Sequence, residues 1–456
     1  MSIIKNKNLI TSTLMGGVIS FTLFFLFLVS VPSCKSKKES HPPGKLVEVK
    51  LGVEVFLKKH LDLVKGKRVG LITNPTGMDS NLVSTVDLFY KNPDINLVAL
   101  YGPEHGVRGN SQAGEYVPFY IDKRYNIPEF NIPVFSLYGQ SLRPEKGMFK
   151  NIDKYMRSFD TKKVGKIPEG SMVKSVDVLL FDIQDVGTRI YTYVATMAYC
   201  MQASAKSGID FIVLDRPNPI NGRDLEGPLL EYPEYSSFVG LYPIPVRHAM
   251  TVGELAALFN DKFLEKKANL TVIPMEGWKR KMWYDDTSLP WITPSPNMPA
   301  LSTATVYPGQ VFLEGTNISE GRGTTKPFEF FGAPWIDGYE LTEKLNKLHL
   351  PGVIFREAWF TPTFSKYKGE RCGGAQIHIL DRNKYKPFES SLFIIKTIMD
   401  TYPNFFKFHG EYFDKIMGTS KIREALKKGI PVKEIIQSFD KELYSFFESR
   451  KPYLLY

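Results

Sequence analysis

At 456 residues, with 43% hydrophobic and 13% aromatic side chains, the chain is too long for one small core and too apolar to be disordered. Its formal charge is +10, and setting aside Lys5 and Lys7 of the N-terminal segment leaves 56 basic against 48 acidic side chains, a net of +8. The excess is spread out with no long basic run, which argues against a dedicated nucleic-acid surface and for anionic polymers or small acidic ligands.

Three cysteines cannot build a disulfide framework, and Cys200 and Cys372 are expected to be unpaired. Cys34 has a different context. Residues 1–33 carry Lys5 and Lys7, then an apolar run over about 14–31, then Val31-Pro32-Ser33 directly before Cys34. The arrangement resembles a bacterial lipoprotein signal, with Cys34 as the lipidated residue, although the run is also long enough to be an uncleaved membrane anchor. Either reading predicts a membrane-anchored protein of the cell envelope, on the periplasmic side, with residues 34–50 holding the lipidated cysteine and a polar tether.

After a short helix at 53–60, the apolar run RVGLIT at 68–73 predicts a buried strand ending in Asn74-Pro75-Thr76-Gly77. That turn lacks the GxGxxG spacing of a dinucleotide site. A helix at 82–91, started by Ser80, leads to the strand at 97–100, which breaks at Gly102-Pro103 into a loop with Glu104, His105 and Arg108. A third strand at 134–137 ends in Tyr138-Gly139, and a charged stretch over about 140–172 reads as a surface insertion or lid. A fourth strand at 176–181 runs into Asp182-Ile183-Gln184-Asp185-Val186-Gly187-Thr188-Arg189, followed by an apolar helix at 191–206. The fifth, at 211–214, ends in Asp215-Arg216-Pro217-Asn218. Strands alternating with crossovers predict an α/β fold, a Rossmann-like, doubly wound and mostly parallel sheet whose carboxyl edge carries the polar loops.

Thr251, with Glu254 three residues on, predicts a capping box for a helix at 252–266, and 270–273 reads as a strand. The proline-rich run at 289–310 is expected to be a rigid shaped loop, and 311–314 a strand leading into GTNISEGRGTTK, with Glu320, Arg322 and Lys326. Pro327 where a helix should begin rules out a phosphate-binding loop. Strands at 353–357 and 375–380 and helices at 390–401, 421–428 and 432–446 complete a smaller α+β domain. The expected organisation is a leader at 1–33, the tether at 34–50, a catalytic domain at 51–268, and an α+β domain at 269–456 closing a cleft between the two.

Seven histidines show no close pairing, so no metal site and no cofactor is expected; an ion held by Asp182 and Asp185 with His105 remains the metal alternative, a phosphoesterase reading. There is no GxSxG elbow. Carboxylates on loops are abundant: Glu104, Asp182, Asp185, Asp215 and Glu320. Glycoside hydrolysis uses such groups in pairs, and Tyr101, Tyr138, Tyr191, Tyr193 and Trp291 are available to stack on sugars or to pack the core.

The strings GLITNPTG, LYGPEHGVRG, FSLYG, LLFDIQDVGTRIYTY, LDRPNPI, PSPNMP, EGTNISEGRGTTKPFE and GAPW are similar to those of the NamZ-type exo-β-N-acetylmuramidases, and the resemblance runs from about residue 53 to the end of the chain. It implies a Rossmann-like domain, a smaller C-terminal domain, and release of N-acetylmuramic acid from the non-reducing ends of peptidoglycan fragments. It also implies that Glu104, in the GPEHG motif, is the catalytic carboxylate. His105, Glu320, Asp182 and Asp185 are the further catalytic candidates. Substrate contacts are expected from Asn74, Tyr138, Tyr191 and Asn297, and from Arg108, Arg189, Arg216 and Arg322, since muramic acid carries a lactyl carboxylate. The insertion departs from the family pattern. A non-catalytic envelope lipoprotein that binds muropeptides or glycans is the alternative of another class.

Overall fold

Strand β1 (Arg68–Thr73) lies at the centre of a seven-stranded sheet in the computed structural model, which describes residues 46–112, 114–115, 120–122, 132–138, 142–144, 148–150 and 175–456. Cys34 and most of the expected insertion at 140–172 lie outside the described residues. β1 pairs in parallel with β2 (Asn96–Gly102) on one side and β5 (Val178–Asp182) on the other. β4 (Ile132–Ser136) extends the sheet beyond β2, and β6 (Asp210–Leu214) then β9 (Leu270–Ile273) extend it beyond β5, all in parallel. β3 (Tyr120–Asp122) is the one antiparallel edge. Every residue of β5 and all of β1 except Arg68 are buried, which explains why both read as unbroken apolar runs without alternation.

Helices cover both faces. α1 (Gly52–Lys59) packs so closely on the end of β6 that a Cβ at Gly52 would sit 2.3 Å from the Asp215 amide nitrogen. α2 (Thr85–Lys91) starts later than expected, capped by Ser84, whose hydroxyl accepts from the Val86 amide at 3.3 Å. α3 (Tyr193–Ser207) is buried over most of its circumference. α4 (Val252–Lys262) has the expected capping box of Thr251 and Glu254. The strand at Leu270–Ile273, expected to open the C-terminal domain, is instead an edge of this sheet, because its backbone completes the ladder of β6. A short antiparallel ribbon joins β7 (Glu226–Leu229) to β8 (Pro245–Arg247).

The smaller part holds a three-stranded antiparallel sheet in the order β10 (Phe330–Ala333), β12 (Cys372–Ile379), β11 (Val353–Phe360). β11 alternates buried and exposed residues, the mark of one packed face. This part also holds α5 (Leu301–Gln310), α6 (Gly338–Asn346), α7 (Pro387–Thr401), α8 (Gly410–Met417), α9 (Lys421–Lys427), α10 (Val432–Gln437) and α11 (Asp440–Ser449), of which α6 packs on β11 and β12 and α11 packs on β7.

Three expectations fail here. The proline-rich run contains helix α5, because its prolines cluster before Leu301 and Pro308 falls in the last turn, where the missing N–H forfeits one bond. The expected strand after it is a 3₁₀ turn, Val311–Gly315, since a short apolar run does not distinguish a strand from a buried turn. The long helix at 432–446 is two helices broken at Ser438 and Phe439. Cys200 and Cys372 are buried and unpaired, as expected.

Candidate active site

Where β2 ends, the chain must reverse within a few residues. Gly102 permits this, because a Cβ there would lie 2.9 Å from the Val107 amide nitrogen. The turn closes with the Gly106 amide donating to the Pro103 carbonyl at 2.9 Å and holds His105 at φ +71°, an uncommon conformation for a residue with a side chain. The effect is to aim Glu104 and His105 at a cavity of about 570 Å³.

Glu104 is fixed by donors from three segments. Thr192 Oγ1 donates to it at 2.8 Å and the Gly114 amide at 3.2 Å. The Tyr138 phenol is pushed up to about 12 by burial and by the neighbouring charge and hydrogen bond of Glu104. His105 is buried, and its Nδ1 donates to the Ser111 carbonyl at 2.7 Å, since a carbonyl only accepts. That fixes the tautomer and leaves the lone pair on Nε2. Burial is the main cause lowering its pKa below 6.5; Glu104 and the Ser111 carbonyl act against it, and Arg322 with it.

The opposite wall comes from the C-terminal part. The 3₁₀ turn places Glu314, and the glycine-rich loop places Glu320 and Arg322. Arg322 donates through Nε and Nη2 to Glu314 Oε1, at 3.1 and 2.7 Å, and its Nε lies 3.5 Å from Glu320. Burial works against the Arg322 charge, but Glu314 and Glu320 outweigh it and raise the pKa. Lys366 Nζ reaches Glu320 at 3.1 Å and donates to the carbonyls of Leu313 and Ile318. Tyr412 donates to Glu314 Oε2 at 3.2 Å. Both of these carboxylates are therefore engaged by cations, whereas Glu104 has no ion pair among the described residues. Edge-to-face rings, Tyr191 on Tyr307 and Tyr307 on Phe328, form the apolar lining.

The family profiles of exo-β-N-acetylmuramidase NamZ match most of this chain, the N-terminal one over residues 69–166 and 161–302 and the C-terminal one over 305–456. The chain belongs to the NamZ family. It is 50% identical over 436 residues, 95% of its length and 98% of the relative's, to the peptidoglycan β-N-acetylmuramidase NamZ of Bacillus subtilis strain 168. Crystal structures of two DUF1343 family proteins from Bacteroides fragilis NCTC 9343 are also similar. One superposes with a TM-score of 0.76 at 37% identity, covering 90% of this chain and 100% of that one. The other gives 0.64 at 30% identity, covering 90% and 99%.

In this NamZ-family cavity the structure gathers Glu104, His105, Tyr138, Tyr191, Asn297, Glu320 and Arg322 from the residues singled out in the sequence. The others are elsewhere. Asp182 is wholly buried and bound by Arg216, with Nε–Oδ1 of 2.5 Å and Nη2–Oδ2 of 2.9 Å, and Thr85 donates to it at 2.5 Å. The two fill the gap between β1 and β5, where an open sheet would ordinarily admit ligand. Asp185 accepts from the Gly187 amide at 2.7 Å and faces His248 Nε2 at 3.2 Å. Asp182 is thus held by its own cation and neither aspartate lines the cavity, and among the described residues no three His, Cys, Asp or Glu side chains are placed to hold a metal.

Arg189 is buried and donates to the carbonyls of Pro228, Ile244, Ile416 and Met417, and burial lowers its pKa to about 9. Asn74 turns its Oδ1 to Thr76, and Arg108 is exposed and off the lining. Of the expected stacking rings, the buried Tyr101 and Tyr193 and the half-buried Trp291 bond to the carbonyls of Met148, Pro294 and Met298 and are off the cavity lining. Reasoning from sequence missed Glu314, Lys366, Thr192 and Tyr412. Glu314 opens the EGTNISEG string and was within reach; Lys366 and Tyr412 carry no local signal.

Proposed function

We propose that the protein is a glycoside hydrolase that releases N-acetylmuramic acid from the non-reducing end of peptidoglycan fragments, with Glu104 delivering the proton to the leaving oxygen. The observation that carries the reading is the environment of Glu104: a carboxylate with no ion pair among the described residues, oriented by Thr192, Gly114 and Tyr138, in the cavity of a chain that belongs to the NamZ family. Proton transfer to a glycosidic oxygen needs a carboxyl group that is positioned yet not committed to an ion pair.

His105, neutral at pH 7 with its lone pair on Nε2, is the group suited to take a proton from the attacking water. Glu320 and Glu314 serve instead to hold Arg322. Its Nη1 donates to no described residue and is the donor we assign to the lactyl carboxylate. We further propose that Cys34 is lipidated and anchors the enzyme to the envelope, where these fragments arise.

The test is incubation of the purified protein with a chromogenic β-N-acetylmuraminide beside the matching glucosaminide. Release from the muraminide alone is expected. Equal release from both, or none from either, overturns the reading.

A further inference from the structure

We infer that a second cavity, separated from the first by the turn Ser237–Gly240, binds the next carboxylate-bearing sugar of the glycan that remains attached to the leaving group. The inference rests on the proposed function and extends it from one sugar to the strand behind it.

The cavity measures about 300 Å³. Its floor is aromatic. Tyr242 stacks on Phe263 with centroids 4.6 Å apart and planes 15° from parallel, and Gln202 Nε2 donates to the Tyr242 hydroxyl at 2.8 Å. The Arg143 guanidinium lies 4.5 Å above the Tyr199 ring. The rim is cationic, with Arg143, Lys206 and Lys266 against one acidic residue, Glu265, among the described lining residues. Lys206, in the last turn of α3, and Lys266, just beyond α4, make no ion pair among the described residues. Exposed lysines are common. Two of them beside an arginine on an aromatic floor form a site for an anionic sugar: rings for its apolar face and cations for its carboxylate.

The link to the catalytic cavity is built into one turn. Ser237 and Gly240 exchange backbone hydrogen bonds of 2.8 and 3.2 Å. Between them Phe238 and Val239 line the first cavity, while the flanking Ser236 and Leu241 line the second and are tied by a 2.8 Å bond from Ser236 Oγ to the Leu241 carbonyl. Phe238 lies 5.7 Å from Tyr138, beside Glu104, and 6.3 Å from Tyr199, nearly parallel to it. An aromatic track therefore leads from the proton donor to the second cavity.

Charge supports the same direction. Among the described residues the two cations of the first cavity, Arg322 and Lys366, are already held by Glu314 and Glu320, whereas Lys206 and Lys266 at the second are unpaired. In peptidoglycan the neutral sugar that leaves is followed by another that bears a lactyl carboxylate. A strand threaded from the first cavity into the second puts that anion in the positive site.

The experiment compares kcat/KM on the disaccharide of muramic acid and glucosamine with that on the tetrasaccharide of two such repeats. Wild type should favour the tetrasaccharide, and the preference should weaken with salt. The variant Arg143→Ala/Lys206→Glu/Lys266→Glu, changed only at exposed positions, should lower the tetrasaccharide-to-disaccharide ratio about tenfold. A wild-type ratio near one, or a ratio the variant does not move, overturns the second site. Should wild type hydrolyse neither substrate, the proposed function fails by itself. Calorimetric titration of the tetrasaccharide then decides the site: weaker binding by the variant sustains it, and equal binding refutes it.

Discussion

Replacing Arg216 by Met separates a structural reading of the β1/β5 gap from a catalytic one. The ion pair it forms with Asp182 is bidentate, at 2.5 and 2.9 Å, between side chains that are 2% and 0% exposed. Its Nη2 also donates to the Met78 carbonyl at 2.8 Å. Removing the cation leaves Asp182 buried with Thr85 as its side-chain donor. Breaking such a pair from one side costs about 3 to 5 kcal/mol, because the desolvated charge left behind has no counter-charge. For a protein of this size, whose unfolding entropy is large, the loss corresponds to a fall in Tm on the order of 3 to 6 °C. Adding Asp182→Leu should recover much of it, since removing both charges leaves neither unpaired. The assay is thermal unfolding followed by circular dichroism, with kcat/KM measured well below the lower Tm. Unchanged Tm with collapsed kcat/KM would place the guanidinium on substrate and refute the assignment.

Glu104→Gln should reduce turnover at least about a hundredfold while calorimetric ligand binding stays nearly intact; near wild-type hydrolysis of a disaccharide would remove Glu104 from the mechanism. Arg322→Met should cost on the order of ten- to a hundredfold in the preference for a muraminide over a glucosaminide, and equal loss on both would make Arg322 purely a tie between Glu314 and Glu320. Because burial holds His105 below 6.5, kcat/KM should fall on the acid side of that value, and His105→Gln should remove this limb from the pH profile. The unfolded chain takes up that proton first, so the stability owed to the neutral imidazole is present above pH 6.5 and is lost as pH falls through that value towards the lower folded pKa. Cys34→Ala should abolish metabolic lipid labelling, and persistent labelling would exclude Cys34 as the anchor.

The parallel sheet was legible because β1, β2, β5 and β6 are buried on both faces and so read as apolar runs bounded by turns. The capping box at Thr251 was equally plain. Helix α5 was hidden by counting prolines over a window instead of asking where in a helical turn each would fall. The arginines failed for a different reason. Sequence places Arg189 and Arg216 just past strand ends, as it does the loop of Glu104, but not which way a long side chain turns, and both turn inward to carbonyls or to Asp182. Glu104 and His105 were recognisable because they are adjacent in one motif. Lys366 meets Glu320 and Tyr412 meets Glu314 only through tertiary structure, so no local pattern announces either partner.

The Arg189 clamp bears on how substrate gets in. Its four carbonyl partners come from β7, from the approach to β8 and from the end of α8, and the next three residues, Ile190, Tyr191 and Thr192, are part of the cavity lining. Widening the mouth on this side would mean breaking several bonds to one buried cation at the same instant, a fluctuation far rarer than the fraying of a loop. This wall behaves like a calliper locked at one setting, not a jaw. A glycan end that binds as proposed would meet, on this side, a wall that keeps its place, and would have to fit the width the clamp sets.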